Sequence, residues 1–157
     1  MTVEPDLCTG CRMCELYCSI KHFEECNPSK SAIKITKLDE LCINVPIVCS
    51  HCEKAFCMAV CPTKALKRDA KTGAILLDES ICVKCRACLA ACPFGAITMD
   101  REGELIKCDL CEGDPSCVKH CETEAIKFVR ADRASQRRRI LTSRRFAASY
   151  LTEQKWG

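Results

Sequence analysis

Twelve residues, Cys82 to Pro93 (CVKCRACLAACP), constrain this chain more than any other stretch. They set three cysteines at i, i+3 and i+6, a fourth four residues later, and then a proline. That spacing wraps a 4Fe-4S cluster: three thiolates on one tight loop converge on three irons, while the fourth points away and completes a neighbouring cluster. A second cluster close by is therefore expected, and three further quartets follow the same logic, the first with the same spacing and the second and fourth with a wider gap before the third cysteine. CTGCRMCELYC supplies Cys8, Cys11, Cys14 and Cys18; CSHCEKAFCMAVCP supplies Cys49, Cys52, Cys57 and Cys61; CDLCEGDPSCVKHC supplies Cys108, Cys111, Cys117 and Cys121. With Cys82, Cys85, Cys88 and Cys92 these quartets use 16 of 18 cysteines, leaving Cys26 and Cys42, which we expect to be small buried apolar side chains.

Competing uses of so much cysteine fit less well. A secreted disulfide scaffold should open on a charged and then an apolar segment, and MTVEPD offers neither, so we expect reduced thiols and a cytoplasmic protein. Structural zinc takes two separated C-x₂-C pairs, and the third cysteine at i+6 would be wasted on it. No apolar run approaches the ~18 residues of a membrane span, so no membrane partner is expected. With six glycines there is no phosphate loop or dinucleotide fingerprint, nor is there an acid–base or nucleophile pair outside the cysteine sets. We therefore expect no catalytic residues, and one-electron relay in place of substrate chemistry. Only 5% of the residues are aromatic, so metal ligation should supply much of the folding free energy.

Between quartets one unit recurs: a cysteine loop, a helical turn carrying the fourth cysteine, then two short strands about a turn. AIKITK and LCINV read as such a pair, as do PTKAL and AILLD around DAKTG, and PFGAITM and LIK around DREGE; ETEAIKFV reads as a further strand. Pro62 and Pro93 end the helical turns. Ser19 and Glu122 stand at that position in the outer quartets, which should loosen those sites or turn them toward a partner. The expected fold class is α+β: two ferredoxin-like two-cluster units, one inserted in the other, plus a C-terminal helix. Residues 46–104 form the inner unit, residues 1–45 and 105–129 the outer unit, and residues 130–157 the basic helix. The outer quartets must then pair across the inner unit. Cys8, Cys11 and Cys14 take Cys121; Cys108, Cys111 and Cys117 take Cys18; Cys49, Cys52 and Cys57 take Cys92; and Cys82, Cys85 and Cys88 take Cys61.

Histidines inside the loops, His51 and His120, are expected to hydrogen-bond or lie on the surface, since thiols already complete each set. Arg12, Lys84, Arg86 and Lys119 sit in cluster loops, where a cation raises a reduction potential if it reaches the sulfurs. Residues 130–157 hold eight basic residues against Asp132 and Glu153, a net of 8 − 2 = +6, and lack proline and glycine before Gly157. This reads as a long helix. It packs on the body, docks another subunit, or brings two copies of the chain together. Nucleic acid is not an expected partner: the basic footprint comes with few aromatics and no recognition motif.

The runs CSHCEKAFCMAVCPTKAL and CVKCRACLAACPFGAI, and the KCDLC that opens the fourth quartet, resemble the four-cluster polyferredoxins. These are electron-transfer subunits of molybdenum and tungsten oxidoreductases, with relatives in hydrogenases and carbon monoxide dehydrogenase. The resemblance covers about residues 6 to 129. It implies four 4Fe-4S clusters and supports the outer-with-outer, inner-with-inner pairing. It further implies a large catalytic oxidoreductase subunit as partner, with a ferredoxin or flavoprotein at the other end of the relay. Some members replace a cysteine of the third quartet by tryptophan; here that quartet is complete. The compact form is similar to the small subunit of tungsten-containing aldehyde oxidoreductases. A hydrogenase or formate or carbon monoxide dehydrogenase partner, or an assembly role with structural clusters, is the alternative.

Overall fold

A computed structural model describes residues 1–129 together with Arg139 and Ser143; the helix expected over residues 130–157 lies outside the described residues. Small helices and two-stranded sheets make up an α+β architecture. In chain order these are β1 (Thr2–Val3), α1 (Met13–Phe23), β2 (Lys34–Leu38), β3 (Ile43–Ile47), α2 (Phe56–Ala59), β4 (Leu66–Arg68) and β5 (Ile75–Leu77). Then follow α3 (Ala87–Ala91), β6 (Ile97–Met99), β7 (Leu105–Lys107), α4 (Ser116–Lys119) and β8 (Ile126–Lys127).

Strands β2–β3, β4–β5 and β6–β7 form antiparallel hairpins, as their turn chemistry predicts. In the β4–β5 turn the Asp69 carboxylate accepts from Thr72 N at 2.7 Å and Gly73 takes φ 72°. In the β6–β7 turn Asp100 accepts from Glu104 N at 2.8 Å and Gly103 takes φ 87°. The fourth hairpin is closed differently: β8 pairs antiparallel with β1 at the opposite end of the chain, Val3 opposite Ile126. The last repeat thus borrows its second strand from before the first.

The helices differ in length. Where Pro62 and Pro93 follow the fourth cysteine, α2 and α3 are 4 and 5 residues long; α4 is also 4 residues long although Glu122 stands at that position, whereas α1, with Ser19 there, runs 11 residues. Ser19 is fully buried, its hydroxyl donating to Leu16 O at 2.9 Å and accepting from Asn27 N at 3.1 Å. Serine therefore ties down the longer excursion that follows Cys18, rather than loosening the site.

Apolar side chains gather in two clusters. One joins Cys14, Cys18, Ile33, Val48, Ile106, Cys117 and Ile126; the other joins Leu66, Ile75, Cys88, Ile97 and Leu105. Strand β7 runs along their seam: Leu105 enters one cluster and Ile106 the other.

Candidate iron–sulfur sites

Each cysteine loop is shaped by a residue in the left-handed region two positions past its first cysteine: Gly10 (φ 70°), His51 (47°), Lys84 (51°) and Leu110 (65°). The left-handed turn folds the loop back on itself so that successive thiols share one side. A Cβ on Gly10 would lie 2.6 Å from Asn44 Oδ1, the closest approach at any of these loops' glycines.

These loops bring cysteines from separate quartets together. One cavity is lined by Cys49, Cys52 and Cys57 of the second quartet and Cys92 of the third, walled by Phe56, Pro93 and Phe94. Another is lined by Cys8, Cys11 and Cys14 of the first quartet, Cys121 of the fourth and the ring of His120. Cys61 and Cys82 pack against the same apolar cluster that buries Cys88. Cys117 lies among Cys108, Cys18 and Cys111, whose negative charges add to burial in pushing its thiol up. Every cysteine is free of disulfide bonding. Cys26 and Cys42 are exposed, contrary to expectation; Cys42 sits at the β2–β3 tip with φ 52°, its thiol 3.7 Å from Asp39 O.

The surroundings fit an iron–sulfur cluster. Burial, joined by the Glu15 charge, pushes the Cys14 thiol up to about 12, and burial does the same at Cys108. Buried, closely set thiolates repel one another and are costly to form alone, and a cationic core in place of their protons would offset that cost. Backbone N–H groups already aim at sulfur: Ala65 N to Cys61 Sγ at 3.3 Å, Ala96 N to Cys92 Sγ at 3.4 Å and Ala32 N to Cys18 Sγ at 3.4 Å. His51 accepts from Ile75 N through Nδ1 at 2.9 Å, and its buried Nε2 has no partner. Burial, with the Lys107 charge next, lowers its pKa to about 3, so the ring is neutral and its remaining proton sits on Nε2. That buried N–H, inside the Cys49–Cys52 loop, is left without an acceptor.

Of the loop cations anticipated from sequence, three answer carboxylates. Arg12 pairs with buried Glu15 at 2.6 Å, Lys84 with Glu104 and Lys119 with Asp114. Among the described residues, Lys107 is hydrogen-bonded to a thiol, 3.5 Å from Cys49 Sγ. Arg68 holds the same loop from outside through the carbonyls of His51, Cys52 and Glu53. His120 stacks on Tyr17 with ring centroids 3.4 Å apart, joining α1 to α4. His22 Nε2 lies 3.4 Å from Cys111 Sγ and 3.4 Å from Asp109 Oδ1.

Four-thiol cavities on left-handed loops, with N–H donors turned toward sulfur, define an iron–sulfur electron-transfer protein. The chain belongs to the polyferredoxin family and carries 4Fe-4S clusters: residues 41–131 match the family described as 4Fe-4S dicluster domain. The polyferredoxin-like subunit of aliphatic sulfonate oxidoreductase from Pyrococcus furiosus is 40% identical over 131 residues, covering 81% of this chain and 75% of that protein. Formate hydrogenlyase subunit 2 of Escherichia coli is 33% identical over 87% of this chain and 85% of its own length. Hydrogenase-4 component A of the same organism is 30% identical over 96% and 91% respectively. Among the described residues, no helix is long and apolar enough to cross a membrane.

Proposed function

We propose that this chain is the relay subunit of a cytoplasmic oxidoreductase complex, with four 4Fe-4S clusters held by cross-paired quartets. The observation that carries the reading is the cavity in which Cys49, Cys52 and Cys57 meet Cys92 from the next quartet; the Cys8, Cys11, Cys14 and Cys121 cavity repeats it. By the same rule Cys82, Cys85 and Cys88 take Cys61, and Cys108, Cys111 and Cys117 take Cys18. The two apolar clusters support a ferredoxin-like inner unit over residues 46–104 inserted in an outer unit of residues 1–45 and 105–129. When bound, the clusters supply one-electron redox chemistry. The chain's own residues fix their spacing, exclude water on the buried sides and donate hydrogen bonds to sulfur.

Likeness to the polyferredoxin-like subunit of a sulfonate oxidoreductase favours a large catalytic oxidoreductase partner; the resemblance in the cysteine runs makes that partner one of the tungsten or molybdenum aldehyde oxidoreductase type, with a ferredoxin or flavoprotein at the far end. Likeness to the hydrogenase and formate hydrogenlyase subunits favours the second reading, a partner of that class. Residues 130–157, with their +6 charge, are the segment we assign to docking that partner or a second copy.

Cysteine-to-serine exchange tests the ligand sets. Cys92→Ser should perturb the same electron paramagnetic resonance (EPR) signal as Cys57→Ser, while Cys88→Ser perturbs a different one shared with Cys61→Ser. If Cys92→Ser and Cys88→Ser instead alter one common signal, the cross-pairing is wrong. Metal analysis of the natively purified complex separates the two partners: tungsten or molybdenum without nickel for the first, nickel for a hydrogenase.

A further inference from the structure

Lys107 ends β7, the strand whose Leu105 and Ile106 enter opposite apolar clusters, so its side chain starts from the seam between the two halves of the molecule. An ammonium has three N–H donors. All three are used: Ile75 O at 2.5 Å, Cys108 O at 3.1 Å and Cys49 Sγ at 3.5 Å. The acceptors lie on different parts of the fold. Cys49 opens the second quartet, Cys108 opens the fourth, and Ile75 belongs to the β4–β5 hairpin. With every donor engaged, the charge is fixed and cannot swing out to solvent.

We propose that Lys107 is a positioning residue for electron transfer across this seam, its fixed ammonium raising the reduction potentials of the two cluster sites that Cys49 and Cys108 serve. The inference rests on the cross-paired reading, in which those cysteines belong to an inner and an outer cluster. Two anionic sites meeting at a seam oppose each other's reduction, and a cation within hydrogen-bonding reach of one thiolate and of the other ligand's carbonyl offsets that repulsion for both. Among the loop cations, Arg12, Lys84 and Lys119 are paired with carboxylates, which cancel most of their field, and Arg68 contacts the Cys49 loop through carbonyl oxygens. One electron crosses per step; the lysine keeps its protons and no bond is made or broken.

The test compares wild type, Lys107→Gln and Lys107→Arg in the full chain, by iron and labile-sulfide content and by redox titration followed by EPR. Glutamine keeps a hydrogen-bond donor and removes the charge; arginine keeps the charge. Both variants should retain iron. In the glutamine variant two of the four midpoints should fall by the equivalent of about tenfold in the reduction equilibrium, about 59 mV for a one-electron couple, and arginine should restore them. Unchanged midpoints in an iron-replete glutamine variant would overturn the inference, as would an equal fall in all four. Loss of iron from both variants would make Lys107 a strut and overturn it too. A wild-type chain without reversibly reducible clusters would take down the relay reading along with the inference, whereas reversible clusters and a silent glutamine variant would take down the inference alone.

Discussion

Ala65, Ala96 and Ala125 each lie four residues past the last cysteine of a quartet, each is buried, and each precedes a buried Leu or Ile. Ala32 and Ile33 hold the same place in the first repeat, delayed by the excursion after Cys18. The small side chain lets the backbone N–H approach sulfur, and the larger one after it anchors the strand in the core. Ala96→Leu should therefore overpack this approach, costing about 1–3 kcal/mol and lowering iron retention; thermal denaturation and iron assay would show both. The first repeat has a distinctive anchor: Glu15, 1% exposed, accepts from Ile35 N at 2.6 Å and pairs with Arg12. Glu15→Ala leaves that N–H without a partner, and chemical denaturation should register a loss of about 1–3 kcal/mol. At this scale the cysteines are legible in sequence because thiols at fixed spacing have few uses. Glu15 and Lys107 are not, because the donor to Glu15 lies 20 residues away in the chain and the thiol that accepts from Lys107 lies 58 away. Lys107 does stand directly before Cys108, but a lysine beside a loop is usually a solvated charge. Arg12, Lys84 and Lys119 look equally promising in sequence and are spent on carboxylates.

Hairpins β2–β3, β4–β5 and β6–β7 are readable because each is local: a strand pattern, a polar turn with aspartate or glycine, then a second strand. The β1–β8 pair is not, since two-residue strands 120-odd positions apart carry no periodicity. It is nonetheless a working part of the fold: Glu4 N donates to Ala125 O at 2.8 Å and Val3 packs against the core. Val3→Asp should weaken this closure by about 1–3 kcal/mol, and hydrogen exchange should show earlier opening at Ile126 than in wild type. Proline alone does not set helix length, since α4 is as short as α2 with Glu122 in place of proline. Ser19→Pro should nonetheless end α1 near Cys18, at a cost of about 3 kcal/mol, because Asn27 N also loses the Ser19 hydroxyl. Equal stability of this variant and wild type in denaturant titration would show that the longer α1 contributes nothing.

At the scale of the molecule, the two modest apolar clusters of the described residues are interrupted by cysteine-lined cavities, and several of the buried residues are themselves thiols. Such an interior is completed by what the thiols bind, and much of the folding free energy should come from ligation. Removing iron with a chelator under reducing conditions should therefore unfold the chain, seen as loss of far-UV circular dichroism; a native-like spectrum after removal would contradict this. The central claim, a four-cluster relay, is tested most directly by iron and acid-labile sulfide per chain measured alongside a reversible redox titration. Sixteen cysteines in four sets predict about sixteen irons and sixteen sulfides, with every cluster reduced and reoxidised in one-electron steps. Half that iron content, zinc in its place, or clusters that do not return on reoxidation would contradict the account.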